Sequence, residues 1–295
     1  MYASPPHVPP SYLSTKMTDS EAADQPHNYD FDSDLDADLD ASESEVDADL
    51  NPDLDLDHDS SPSRASSPAS IPELPTGEFP TVASLTGLFI SHLECSIHTI
   101  LYARGIYPAR LFMASRMYGA AVKMCRVPAV NRFVRELVDT VGEQMLAENV
   151  RIVAVVVLSP GPLRAPLERF CFDVGYLPRV GGRERHTLLV AEDGITDLPD
   201  LHAQFRSLMM QLASVAGRLG RLPEGCSFTV ALELEEGGVP IEREKRWVVE
   251  DPKMTNGTVG TVGTTTVTLR SIVSGAMNLD VWVEESGAKA KLPVA

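Results

Sequence analysis

Cysteine is scarce in this chain and poorly placed for chemistry. Cys95, Cys125, Cys171 and Cys226 lie far apart with no C-x-x-C spacing, which argues against a metal ribbon or a dithiol redox motif. Three of them fall inside apolar periodic segments and read as buried free thiols, the state of a reducing compartment. Long hydrophobic runs are also missing. No stretch of 18 apolar residues exists, and the longest candidate, around Val150–Leu158, has the length of a strand. The N-terminal stretch MYASPPHVPPSYLSTKM carries neither a charged n-region nor an apolar h-region, so no secretory signal is expected and the sequence predicts a soluble protein.

An excess of positive charge is absent as well. Residues 1–78 hold 19 acidic side chains against Lys16 and Arg64, so the whole net charge of −17 sits there. The remainder is balanced at 23 acidic and 23 basic side chains. Proteins that grip a phosphate backbone concentrate Lys and Arg on one face, and nothing here reaches that density. Arg243, Lys245 and Arg246 alternate with Glu242 and Glu244, as on a solvated strand edge. Direct nucleic-acid binding is therefore not expected. The tail 1–78 is rich in Asp, Ser and Pro and nearly free of aromatics after Phe31, so it is expected to be disordered. The roughly 200 residues that follow suit one domain with a single core.

Catalytic and cofactor signatures are missing too. Asp32, Asp34, Asp36, Asp38, Asp40 and Glu43 match much of a calcium-loop template. Ala37 stands where that loop needs glycine, and no helix pattern flanks it, so a solvated acidic run is the simpler reading. The glycine-rich GTVGTVGTTT at 257–266 lacks the Lys-Ser/Thr of a phosphate cradle and reads as a connector. His92 and His98, six apart on one helix, do not share a face like a metal pair; they read as surface or satisfied core groups. There is no G-x-S-x-G and no cysteine in a nucleophile setting. No enzyme activity, metal or cofactor is expected.

What is present is periodicity. Leu85, Leu88, Phe89, Leu93, Ile97, Ile100 and Leu101 recur at three- and four-residue steps, predicting a helix over 82–104 with Thr81 as N-cap and a stop at Gly105 and Pro108. Short strands follow over about 110–125. A second helix starts at Pro128, with Val130, Val134, Leu137, Val141 and Met145 on its apolar face. RIVAVVVL and LERFCFDV form a hairpin around Ser159-Pro160-Gly161, packing Leu167, Phe170 and Phe172. A loop over 178–197 leads to a third helix at 198–219. Strands are then predicted in CSFTVALEL, REKRWVVE, TVTLRSIV and NLDVWVEE. Three helices on one face of a mainly antiparallel sheet is an α+β layout.

The strings ECSIHTILYARGIYPARLF, GCSFTVAL and MNLDVWVEES occur in an order that resembles the HORMA-domain family over about residues 82–286, and within it the polymerase-zeta branch. The resemblance implies the HORMA fold over 79–287, with a C-terminal "seat belt" at about 235–286 and a disordered end at 288–295. It also implies a non-enzymatic adaptor whose belt encloses a Pro-containing peptide of the catalytic subunit of DNA polymerase zeta. The expected peptide contacts are Tyr107, Phe133, where the branch more often has Tyr, Trp247 and Val249. Core packing is an equal reading of Tyr107 and Phe133, and cross-strand packing of Trp247.

Leu269, Asp280 and Trp282 fall where the branch docks the deoxycytidyl-transferase translesion polymerase, though Asp280 and Trp282 replace an amide and a Tyr. Arg206 matches a residue used for HORMA–HORMA dimerisation. A HORMA-remodelling AAA+ ATPase is a further implied partner, and the acidic tail is a candidate contact for it. The resemblance places the chain in the nucleus, although no import signal is visible. A spindle-checkpoint or meiotic chromosome-axis HORMA adaptor is the competing reading.

Overall fold

Thr81 and Ser84 open the first long helix. In the computed structural model, which describes residues 12–15, 81–162, 164–179, 184–189, 197–236, 247–250 and 264–291, with 12–15 and 247–250 described through their backbone, this helix is α1 (Val82–Ala103). The Thr81 hydroxyl accepts from the Ser84 amide at 3.1 Å, and the Ser84 hydroxyl accepts from the Thr81 amide at 2.8 Å. Both bonds satisfy amides that the helix start leaves orphaned. Thr81→Ala should therefore lower stability by about 1 kcal/mol, read as a shift in the urea midpoint at unchanged slope. The helix ends where Gly105 takes φ +64°.

The predicted stripe is the centre of the core. Leu88, Phe89, Leu93, Ile97, Ile100 and Leu101 are all buried, each contributing about 1.5–3 kcal/mol of apolar transfer. Around α1 pack α2 (Pro128–Leu146), α3 (Leu198–Ser214) and the hairpin of β2 (Phe112–Met117) and β3 (Ala120–Cys125). That hairpin turns through Tyr118 and Gly119, both with positive φ, the geometry whose twist matches paired strands. α3 stops earlier than its apolar pattern. Residues Val215–Gly217 tighten into a 3-10 turn, which keeps Val215 and Leu219 buried.

Among the described residues the main sheet has seven strands. In chain order these are β1 (Tyr12–Thr15), β4 (Val150–Leu158), β5 (Pro166–Asp173), β6 (Ser227–Leu234), β7 (Trp247–Glu250), β8 (Thr265–Ser274) and β9 (Met277–Glu285). Their spatial order is β7-β1-β6-β4-β5-β9-β8, with every pairing antiparallel. Val153, Val155, Val157, Phe170, Phe172, Val230, Leu232, Val281 and Val283 join the helices in one core. The other face keeps a small apolar patch of Ile152, Ala154, Val156, Cys171 and Ala231. The α+β arrangement agrees with the fold class expected from the sequence.

Three expectations change here. Tyr12–Thr15 lies inside the segment expected to be disordered, yet it is a strand of the sheet; the rest of 1–78 lies outside the described residues, as do the calcium-like run and most of the glycine-rich connector. Residues Gly287–Lys291, also expected to be disordered in large part, form a 3-10 turn. Lys289 is 4 % exposed there, and it pairs with Glu168 and, at 2.6 Å, with Glu285. A buried partner holds the turn in place. Finally, His92 and His98 are fully buried with no hydrogen-bond partner among the described residues, so they are neither surface nor satisfied groups.

Candidate functional site

The functional geometry begins at the outer edge of β6. Its inner edge pairs with β4 along its whole length, as its alternating apolar residues require. Its outer edge pairs with β1 at Tyr12↔Glu233, Leu13↔Leu232 and Ser14↔Ala231. On the other side of β1 lies β7, in register Leu13↔Val249 and Thr15↔Trp247. A short strand from the far N-terminus is thus held between two strands consecutive in sequence, β6 and β7.

The chain then changes sides. β8 and β9 form the opposite end of the sheet, with β9 on β5. Six inter-strand spacings put β7 and β8 roughly 29 Å apart. The C-terminal segment therefore begins beside the captured strand and finishes fastened at the far edge. This arrangement binds an extended segment through main-chain hydrogen bonds on both sides, and side chains at alternate positions add selectivity.

Of the residues expected to touch a peptide, Trp247 and Val249 are both on β7, opposite Thr15 and Leu13. Tyr107 and Phe133 meet at a different place. Their rings stand edge-on to Phe228, at centroid distances of 6.4 and 5.8 Å, beside the first residues of β6. Phe133 is buried and Tyr107 half-buried; desolvation, followed by the influence of Cys125, raises the Tyr107 phenol above its ordinary value. The cluster lies along β6 just beyond the residues that pair with β1. Phe228 is the member that sequence reasoning missed, although it begins the alternation Phe228, Val230, Leu232.

The second expected surface separates. Leu269, at the β-bulge between Thr268 and Arg270, lies in the main core at 7 % exposure, on the same face as Val267. It is not a surface contact. Asp280 and Trp282 lie on the opposite face of β9, whose residues alternate between buried and half-buried. There Trp282 Nε1 donates to Glu284 at 3.1 Å, and Arg169 donates to Glu284 at 3.1 Å and to Glu233 at 2.5 Å. This polar ladder runs from β9 across to Glu233, the register partner of Tyr12. Arg206 is exposed on α3, makes no ion pair among the described residues, and sits beside the Gly119 turn. No group of three potential metal ligands occurs among the described residues.

The fold and this strand-capturing arrangement define the class. Residues 89–253 match the HORMA domain, and the chain belongs to the HORMA-domain family. Among its relatives, the mitotic spindle assembly checkpoint protein MAD2B of Danio rerio is 26 % identical over 204 residues, 67 % of this chain and 89 % of that protein. The DNA polymerase zeta processivity subunit of Schizosaccharomyces pombe is 23 % identical over 206 residues, 70 % of this chain and 94 % of that protein. Among solved structures, a chain of the mitotic checkpoint complex superposes with a TM-score of 0.53 at 23 % identity, covering 68 % of this chain and 98 % of its own.

Proposed function

We propose that this protein is a non-enzymatic adaptor that encloses an extended partner segment between β6 and β7, the partner being the catalytic subunit of DNA polymerase zeta. The face bearing Asp280 and Trp282 then docks the deoxycytidyl-transferase translesion polymerase, joining the two in damage bypass in the nucleus. Strand capture carries this reading: β6 and β7 hold a separate stretch of the chain's own backbone, Tyr12–Thr15, in register on both sides. Similarity to the fission-yeast polymerase zeta processivity subunit favours that partner. Arg206 offers a contact for HORMA pairing, and a HORMA-remodelling AAA+ ATPase is a fitting release factor for an enclosed ligand.

A checkpoint role is the second reading, favoured by the relatives named as spindle assembly checkpoint proteins. The two part in a binding assay with the full-length chain and labelled peptides from the polymerase zeta catalytic subunit and from checkpoint partners. Preferential capture of the polymerase peptide is expected, weakened at least tenfold by Trp247→Ala. Capture of checkpoint peptides alone would assign the second role, and no capture of either would remove the adaptor assignment.

A further inference from the structure

Four residues at the extreme N-terminus occupy the site that the adaptor reading assigns to a partner. We infer that Tyr12–Thr15 is the chain's own occupant of the strand site, bound in cis, and that a partner segment enters by displacing it. The inference rests on the strand-capture reading and extends it to how capture is controlled.

The pairing supports this first. Tyr12, Leu13 and Ser14 are matched to β6, and the same three with Thr15 are matched to β7. A four-residue strand has no stability of its own, so its position comes from its two neighbours. Conversely, β6 and β7 would each present an unpaired edge without it. One strand fits between them, so occupancy is exclusive: the resident strand or an incoming one.

Local sequence supports it second. Pro5, Pro6, Pro9 and Pro10 stand just upstream and bias the preceding backbone toward extended conformations, lowering the entropy lost on docking. No proline falls within Ser11–Thr15, so every amide there is free to donate, and Tyr and Thr favour strands. Charge changes at the same boundary. Residues 1–15 contain no Asp, Glu, Lys or Arg, whereas all 19 acidic residues of the first 78 begin at Asp19. The docked stretch is neutral, and the acid is confined to what joins it to the domain.

The length of that join supports binding in cis. Residues 16–80 reach the site with chain to spare at ~3.3 Å per extended residue. A tether of this order sets an effective concentration near the millimolar range, far above that of free copies at micromolar protein. The apparent affinity for an external segment is then lowered in proportion to the fraction of sites left open.

Two experiments on the full-length chain test this. In the first, a fluorescein-labelled synthetic peptide of residues 1–20 is titrated into the unmodified chain and into the double variant Leu13→Pro/Ser14→Pro, which loses main-chain donors in β1. At least tenfold tighter binding by the variant is expected. Equal affinity for both, or no binding to the variant, would overturn the inference.

In the second, Ser14→Cys and Ala231→Cys are introduced together and oxidised, using their cross-strand register. An intrachain disulfide between the new thiols is expected, with Ser4→Cys/Ala231→Cys as the weakly linking control. Absence of the link overturns the inference, and so does a link formed mainly between copies. If both tests failed while the polymerase zeta peptide was still captured, the adaptor function would stand without its internal occupant.

Discussion

Glu168→Ala is expected to lower folding stability by about 3–5 kcal/mol, the range found when one partner of a buried ion pair is removed. Glu168 is fully buried on β5 and accepts two hydrogen bonds from Arg104, at 2.8 and 2.7 Å, as well as one from Lys289. Removing the carboxylate leaves two nearly buried cations facing each other. Arg104 retains the Gly220 carbonyl at 2.7 Å and Lys289 retains Glu285, so neither is wholly orphaned.

Lys289→Met should cost less, because the Arg104–Glu168 pair survives it. The triple change Arg104→Met/Glu168→Leu/Lys289→Met should recover most of the loss, since the damage comes from unpaired charge rather than from the value of the pairs. Urea unfolding of the four proteins measures this. A single Glu168 variant within 1 kcal/mol of the parent would show that the cluster is solvated in solution.

Under the adaptor reading proposed above, the same cluster bears on how a C-terminal belt would open. Glu168 ties the end of α1 to the turn that follows β9, which is the last part of the segment that began at β7. A belt that opens by releasing its C-terminal end must break these ion pairs as well as the β5–β9 ladder. A belt that opens at β7 need break neither. On that reading the ion pairs favour opening at the β7 end, next to Tyr12–Thr15, with β8 and β9 remaining docked.

How much of this was readable in advance depends on how local each cause is. The stripe from Leu85 to Leu101, the Thr81 cap and the apolar run of β4 are set by neighbours within a few residues, and all appear where the pattern put them. β7 was readable as a strand at Trp247, and its match to Leu13 and Thr15 was not. The Tyr-Leu-Ser-Thr strand has no apolar alternation long enough to show itself, because its stability comes from pairing with residues more than 200 positions away. Lys289 is a similar case: its partner Glu168 is 121 residues distant, and an isolated lysine near the C-terminus looks like solvated chain. Leu269 was expected at a docking surface through the resemblance alone; alternation with Val267, whose register partner Val283 is buried, already puts it on the core face.

Stability should fall by about 3–4 kcal/mol between pH 7 and pH 5, and two histidines on α1 are the reason. His92 lies stacked on Phe205 at a centroid distance of 4.3 Å, and burial holds its pKa down to about 3. His98 is held at about 4 by burial and then by the nearby Arg135. Unfolded, both titrate near 6.5. Between 6.5 and those depressed values the unfolded chain binds protons that the folded chain refuses, so stability drops as pH falls.

Carboxylates act in a lower window. Burial tends to raise the Glu285 carboxyl, but bonds from Lys289 and the Gly220 amide outweigh it and hold it below the ordinary value, so its contribution is lost only under more acidic conditions. The interval from pH 7 to 5 therefore isolates the imidazoles. His92→Phe with His98→Leu should remove most of the slope there while preserving the ring contact with Phe205; the remainder comes from His202 on α3, whose pKa burial also lowers. Urea midpoints at the two pH values test the slope, and NMR titration of the imidazoles tests its cause. Resonances that titrate near 6.5 in the folded protein would mean that water reaches both rings and that α1 is not the closed core described above.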